Sequence, residues 1–259
     1  MNEYVEVCER AARAGGKVLL DWVGRFQVRE KGPSDLVTEA DLAAQEAVKA
    51  VLMADHPDFG FIGEETPDER DESAEYQWIV DPLDGTTNYV HQMPGYAVSI
   101  ALARRGKVLA GVVFDPIANE CYSAAAGEGA FLNGKPIRTS DITEMSRALV
   151  AASFAAKVTP DMPELQEFLR VIMVAQAVRR LGSAALNLCY LAAGRFDAYW
   201  AGETKIWDIA AGTLIVTEAG GQITALDGSE FQVVRPRFLA ASTPELHSEM
   251  LKLVGRKVP

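Results

Sequence analysis

The sequence predicts a mixed chain, α+β in its first half and α/β in its second, on three observations. Val5, Cys8, Ala12, Gly15, Leu19 and Trp22 recur at spacings of three and four, the stripe of an amphipathic helix. Three strand-like runs between Tyr96 and Ala126 are separated by the turn formers Arg105-Gly106 and Asp115-Pro116, the pattern of an antiparallel meander. Beyond residue 148, strand-like and helix-like segments alternate, as α/β layering requires.

Taken in order, the first helix is followed by a breaker, Lys31-Gly32-Pro33-Ser34. Thr38 and Asp41 then stand at capping-box spacing before a helix over 39–54, which ends ahead of Pro57. Phe59 to Ile62 and Tyr76 to Val80 are short apolar runs bounded by charged or turn residues, and they read as buried strands that deliver carboxylates at their ends. After the meander, Gly127 to Gly134 reads as a glycine-rich turn region. The second half is expected as strand 148–153, helices 163–177 and 183–193, strand 196–200, helix 208–219 and strand 222–226, with Gly220-Gly221 as a helix stop. No internal repeat, low-complexity tract or linker interrupts the chain. Residues 1–140 and 141–259 are therefore expected to be subdomains of one continuous structural unit, the first carrying most of the candidate ligands.

Composition limits the function classes. Among 259 residues, 25 are basic and 36 acidic, for a net charge of −11, which disfavours nucleic acid as a main partner. Cys8, Cys121 and Cys189 are far apart and form no CxxC pair, so neither a disulfide framework nor a zinc site is indicated. The N-terminal stretch has no continuous apolar core of a leader, and no segment approaches the roughly 18 apolar residues of a membrane span. A cytoplasmic protein without membrane contact is expected.

The informative segment runs from Tyr76 to Asn88, where a buried strand carries Asp81 and Asp84 to its C-terminal end. Pro82 holds the chain extended before it and fixes its own φ, so the chain is expected to turn sharply there. Both carboxylates, with the Leu83 carbonyl between them, can surround one hard cation such as magnesium. A plain surface turn is the competing reading. Glu64 and Glu65 also end a strand, and Asp208 opens a helix. Taken singly, the glutamates read as solvated charges beside Asp68 and Glu69, and Asp208 as an N-terminal cap. Four carboxylates, Glu64, Asp81, Asp84 and Asp208, at the mouths of different elements repel one another unless cations bind. Other catalytic designs fare poorly: there are three histidines, His56, His91 and His247, and no Gly-x-Ser-x-Gly elbow, Walker A or Gly-x-Gly-x-x-Gly motif. His91 reads as a loop or subunit-contact residue, and Tyr199, Trp200 and Trp207 as packing more than substrate stacking.

GEE at 63–65, DPLDGTTN at 81–88 and WDIAAG at 207–212 resemble the inositol monophosphatase family, and the resemblance extends through DLVTEAD at 35–41, GAFLNG at 129–134, LGSAALNLCYLAAG at 181–194 and VTEAGG at 216–221. It implies a layered αβαβα sandwich of the sugar-phosphatase type, usually dimeric, that hydrolyses phosphate monoesters with magnesium and is often lithium-sensitive. By the same resemblance, Glu64 and Asp81 with the Leu83 carbonyl hold a first metal, and Asp81, Asp84 and Asp208 a second. Thr86 with Glu64 activates a water, Asp41 buttresses Thr86, and the amides of Gly85 and Thr86 cradle the phosphate. Four carboxylates and a phosphate dianion carry a charge that three magnesium ions would neutralise, so two or three ions per site are expected.

The substrate is less legible. Members that prefer inositol phosphates commonly carry a Glu seven residues before the Trp-Asp aspartate, where this chain has Ala201. Glu203 lies two residues nearer, and Lys205 is a candidate for a second phosphate or a carboxylate, or else a solvated loop lysine. Arg179 and Arg180 are candidates for contacts across the pocket or a dimer interface. A myo-inositol monophosphate is the leading substrate. Fructose 1,6-bisphosphate and 3′-phosphoadenosine 5′-phosphate are the alternatives within the family, and a non-catalytic regulatory protein on the same scaffold is the alternative from another class.

Overall fold

The computed structural model describes residues 2–26, 28–32, 35–66, 74–154 and 158–255. Helix α1 (Glu3–Trp22) starts at Asn2, whose side chain accepts the Tyr4 N–H, and buries the expected stripe of Val5, Cys8, Ala12, Gly15 and Leu19. Where a breaker was expected, strands β1 (Val28–Gly32) and β2 (Asp35–Thr38) pair as an antiparallel hairpin. Pro33 and Ser34 lie outside the described residues. The charged sequence of β1 has no apolar alternation from which a strand could be read. Thr38 then caps α2 (Glu39–Asp55) within the expected capping box.

Strands β3 (Gly60–Gly63) and β4 (Tyr76–Asp84) pair in parallel, and β4 runs four residues past the expected end at Val80. Asp68 and Glu69 lie outside the described residues. A short helix, α3 (Thr86–Val90), follows. The meander forms as expected from β5 (Ala97–Arg104), β6 (Lys107–Asp115) and β7 (Glu120–Ala125). The glycine-rich region is more than a turn. It adds β8 (Ala130–Leu132) and β9 (Lys135–Ile137), three-residue strands too short to show a period, and the sheet order is β3-β4-β5-β6-β7-β8-β9.

The second sheet holds β10 (Leu149–Ser153), β11 (Ala177–Arg179), β12 (Ala198–Ala201), β13 (Gln222–Ala225) and β14 (Phe238–Ala241) in the order β11-β10-β12-β14-β13. Around it lie α4 (Pro163–Ile172), α5 (Ala184–Ala192), α6 (Ile206–Glu218) and α7 (Pro244–Val254). The helix expected over 163–177 stops at Ile172, because the Gln176 N–H bonds to the Ala148 carbonyl and draws the next residues onto β10 as a parallel strand. Strand β14 and helix α7 were not anticipated. The run Phe238-Leu-Ala-Ala is buried on both faces and so lacks alternation, whereas the Thr243 cap and Pro244 of α7 are ordinary helix-start signals.

Alternation along the strands builds the layers. In β5, Val98, Ile100 and Leu102 face the core under α1 and α2, while Ala97, Ala101 and Ala103 face a second core shared with α5 and α6. In β12, Tyr199 and Ala201 face that same middle core, and Ala198 and Trp200 face a third core with residues of α7. The result is an αβαβα sandwich with α5 and α6 between the sheets. The middle layer is tight: a Cβ on Gly111 of β6 would lie 2.9 Å from the Ala211 Cα of α6. Cys8, Cys121 and Cys189 are buried and free, and no helix among the described residues is long and apolar enough to cross a membrane.

Candidate active site

Strand β4 brings the first acids. Asp81 faces Ser99 and Asp84 faces Ala97 on β5, so one extra residue is accommodated between them as a bulge that re-aims both side chains. The Leu83 N–H donates to Asp81 Oδ1 at 2.9 Å, and Leu83 is buried. Gly85 then turns the chain with φ +102°, where a Cβ would lie 2.8 Å from the Gly95 carbonyl oxygen. Asp84 is met from the other half of the chain. Ser183, the cap of α5, donates from Oγ to Asp84 Oδ2 at 2.6 Å, and the Ala185 N–H donates to the same oxygen at 2.6 Å.

Glu64 follows β3, its N–H bonded to the Val80 carbonyl, and Gln45 of α2 accepts the Glu65 N–H at 3.1 Å, which ties this loop to the helix layer. Asp208 sits in the first turn of α6 and accepts the Lys205 N–H at 2.8 Å. Ser99 Oγ donates to the Trp207 carbonyl at 3.1 Å, which joins the start of α6 to the first sheet. Asp41, 2% exposed, accepts from the Thr38 N–H and hydroxyl through Oδ2, and its Oδ1 lies 3.5 Å from Thr86 Oγ1. It therefore caps α2 and reaches Thr86 at once. The Thr86 hydroxyl donates to the Leu83 carbonyl at 3.1 Å.

Glu64, Asp81, Leu83, Asp84 and Asp208 line one cavity of about 600 Å³, together with Gly85, Thr86 and Glu203. Lys205 is exposed and does not line it, and Arg180 does. Tyr199 and Trp200 are fully buried in packing, and His91 is exposed at the end of α3.

Burial holds Asp81 well above the usual carboxylate range, and the charges of Glu64, Asp84 and Asp208 push it further. Burial also raises Asp84, to about 6, against the hydrogen bonds from Ser183 and Ala185. Asp208 is raised by burial and then by Asp84, with the Lys205 N–H and charge opposing. This mutual repulsion, focused on hard oxygen donors, matches the chemistry of a divalent cation such as magnesium. Among the described residues, no group of three His, Cys, Asp or Glu side chains is arranged to hold a metal ion by itself. An ion here would thus draw on the Leu83 carbonyl, water and a phosphate ligand as well.

Ser183 and Gln45 hold candidate ligand segments, yet neither was singled out from the sequence. A cap signal marks Ser183 locally, but its partner Asp84 is 99 residues away. Asn88 is similar: its Nδ2 donates to both the Gly95 and Leu181 carbonyls at 2.7 Å, stitching the turn after β4 to the approach to α5.

A model of the inositol monophosphatase family matches residues 1–258. The chain belongs to the inositol monophosphatase family. Members of this family are phosphoric monoester hydrolases. An inositol-1-monophosphatase of Caulobacter vibrioides is 38% identical over 96% of this chain and 98% of its own. A Nus factor SuhB of Pasteurella multocida is 38% identical over 98% of this chain and 96% of its own. Among solved structures, the extragenic suppressor protein suhB of Bartonella henselae superposes with a TM-score of 0.93 at 36% identity, covering 99% of this chain and 100% of that one. An inositol monophosphatase from Anabaena superposes with a TM-score of 0.87 at 36% identity, covering 96% and 94%.

Proposed function

We propose that this phosphatase hydrolyses a small phosphate monoester with magnesium, myo-inositol monophosphate being the leading substrate. The observation that carries this reading is the convergence of four carboxylates and a buried carbonyl, from three separate segments, on one cavity. Glu64, Asp81 and the Leu83 carbonyl would hold one ion, and Asp81, Asp84 and Asp208 another, with space for a third. When bound, magnesium supplies positive charge that acidifies water and offsets the charge building on the phosphate.

The chain's own groups do the rest. Glu64 and Thr86 orient the attacking water, and Glu64 takes its proton. Asp41, rigid in its capping box, steadies the Thr86 hydroxyl. The amides of Gly85 and Thr86, at the turn into α3, receive the phosphate oxygens. Glu203, on the rim, is the candidate for a substrate hydroxyl in place of the Glu that Ala201 lacks. A cytoplasmic homodimer, inhibited by lithium and divided into subdomains near residue 140, completes the proposal.

The test is magnesium-dependent phosphate release from inositol 1-phosphate, with Asp84→Asn protein as background. Release by the wild type and its loss in the variant is the expected result. Tight magnesium binding without release from any monoester would instead favour a regulatory scaffold.

A further inference from the structure

The middle core holds a phenol whose hydroxyl the hydrolytic chemistry does not use. Tyr199 of β12 is fully buried, in the same core as Ala151, Ala201 and Ala210. Phe238 of β14 meets its ring edge-on at 5.2 Å between centroids. The Tyr199 hydroxyl lies 2.8 Å from Oγ of Ser153, the last residue of β10. Ser153 in turn lines the cavity that holds Glu64, Asp81, Asp84 and Asp208. A pair of hydroxyls thus leads from the dry middle layer to the acids.

Between two hydroxyls at this distance, one hydrogen lies on the line joining the oxygens and the other points elsewhere. Charge decides the direction. Burial raises the Tyr199 pKa, and the charges of Asp84 and Asp208 raise it further against the bond with Ser153, so the phenol stands in the field of both acids. Hydroxyl dipoles orient in such a field with their hydrogens toward the negative charge. Tyr199 therefore donates to Ser153, and the Ser153 hydrogen is left for the cavity. Aligned head to tail, the two dipoles strengthen each other in a low dielectric.

We infer that Tyr199, acting through Ser153, is a positioning residue of the acid site: the pair is a short row of O–H dipoles whose positive end offsets the repulsion among Asp81, Asp84 and Asp208. The inference rests on the cation site of the proposed function and not on hydrolysis itself. It gives the second sheet a part in holding together acids that come from β4 and the start of α6.

The test is a set of thermal melts of the full chain, in EDTA and in saturating magnesium, for the wild type, Tyr199→Phe, Asp84→Asn and the double variant. Tyr199→Phe keeps the ring and its contact with Phe238. In EDTA it is expected to lower the melting temperature by about 2–4 °C. That loss should shrink by half or more in the Asp84→Asn background, and likewise in magnesium, because either change removes charge that the dipoles offset. Ser153→Ala, which deletes the cavity-facing half of the pair, should follow the same pattern. A loss of equal size under all three conditions, as a plain buried hydrogen bond would give, or no loss in EDTA, would overturn the positioning role. A wild type that magnesium does not stabilise counts against the cation site, and the Asp84→Asn background then decides the positioning role by itself.

Discussion

Ser183 Oγ donates to Asp84 Oδ2 at 2.6 Å, so the cap of α5 in the middle layer holds an acid delivered by β4 of the first sheet. The bond joins a helix start to a strand end across 99 residues, and the Ala185 N–H backs it at the same oxygen. The start of α5 thereby fixes the Asp84 carboxylate at Oδ2. Ser183→Ala is expected to weaken the apparent magnesium affinity in a phosphate-release assay about tenfold or more, with Ser183→Thr restoring most of it. An unaltered magnesium dependence would contradict this positioning role.

Asp84→Asn deletes charge but little volume. In EDTA the variant should melt at or above the wild-type temperature, because one member of a mutually repelling buried set is neutralised. Added magnesium should stabilise it less than it stabilises the wild type, and activity should fall about a hundredfold or more. Thermal melts with and without magnesium, beside the activity assay, separate the two effects.

Gly111→Ala acts at a distance. Its new Cβ would meet the Ala211 Cα at 2.9 Å and the Ala211 carbonyl oxygen at 3.0 Å, forcing α6 off the first sheet. Since α6 carries Asp208 while the sheet carries Asp81 and Asp84, both stability and kcat should drop. Urea unfolding should show a loss of about 1–3 kcal/mol. A stable variant with normal kcat would mean that the middle layer yields more readily than its packing indicates.

His247 provides a pH handle away from the cavity. Burial lowers its pKa from the ordinary 6.5, and Nε2 lies 3.0 Å from Thr224 Oγ1. The unfolded chain therefore takes up the proton first as pH falls, so this contribution to stability is complete above about pH 6.5 and is lost toward the lower folded value. Urea midpoints at pH 7.5 and 5.5 should differ less for His247→Gln than for the wild type.

Much of this molecule was legible because its signals are local. The stripe of α1, the capping box of α2 and the meander turns each lie within about one element, where periodicity and turn chemistry operate. Strand β14 escaped because a strand buried on both faces shows no alternation, and β11 because a parallel neighbour, not its own sequence, ends α4 and recruits it. The candidate acids were legible for a related reason: each stands at the end of an apolar run or at a helix start, where a buried charge is conspicuous.

The sequence by itself determined the identity of the acids, the Asp-Pro-Leu-Asp step that carries two of them and the family to which the chain belongs. Tertiary structure alone decided which cation reaches the cavity. Lys205 is near Asp208 in sequence yet does not line the cavity, whereas Arg180, nearly a hundred residues from Asp84, does. The reason is geometric: backbone direction at a helix cap or strand end follows from packing against other layers, and no local pattern of residues encodes it.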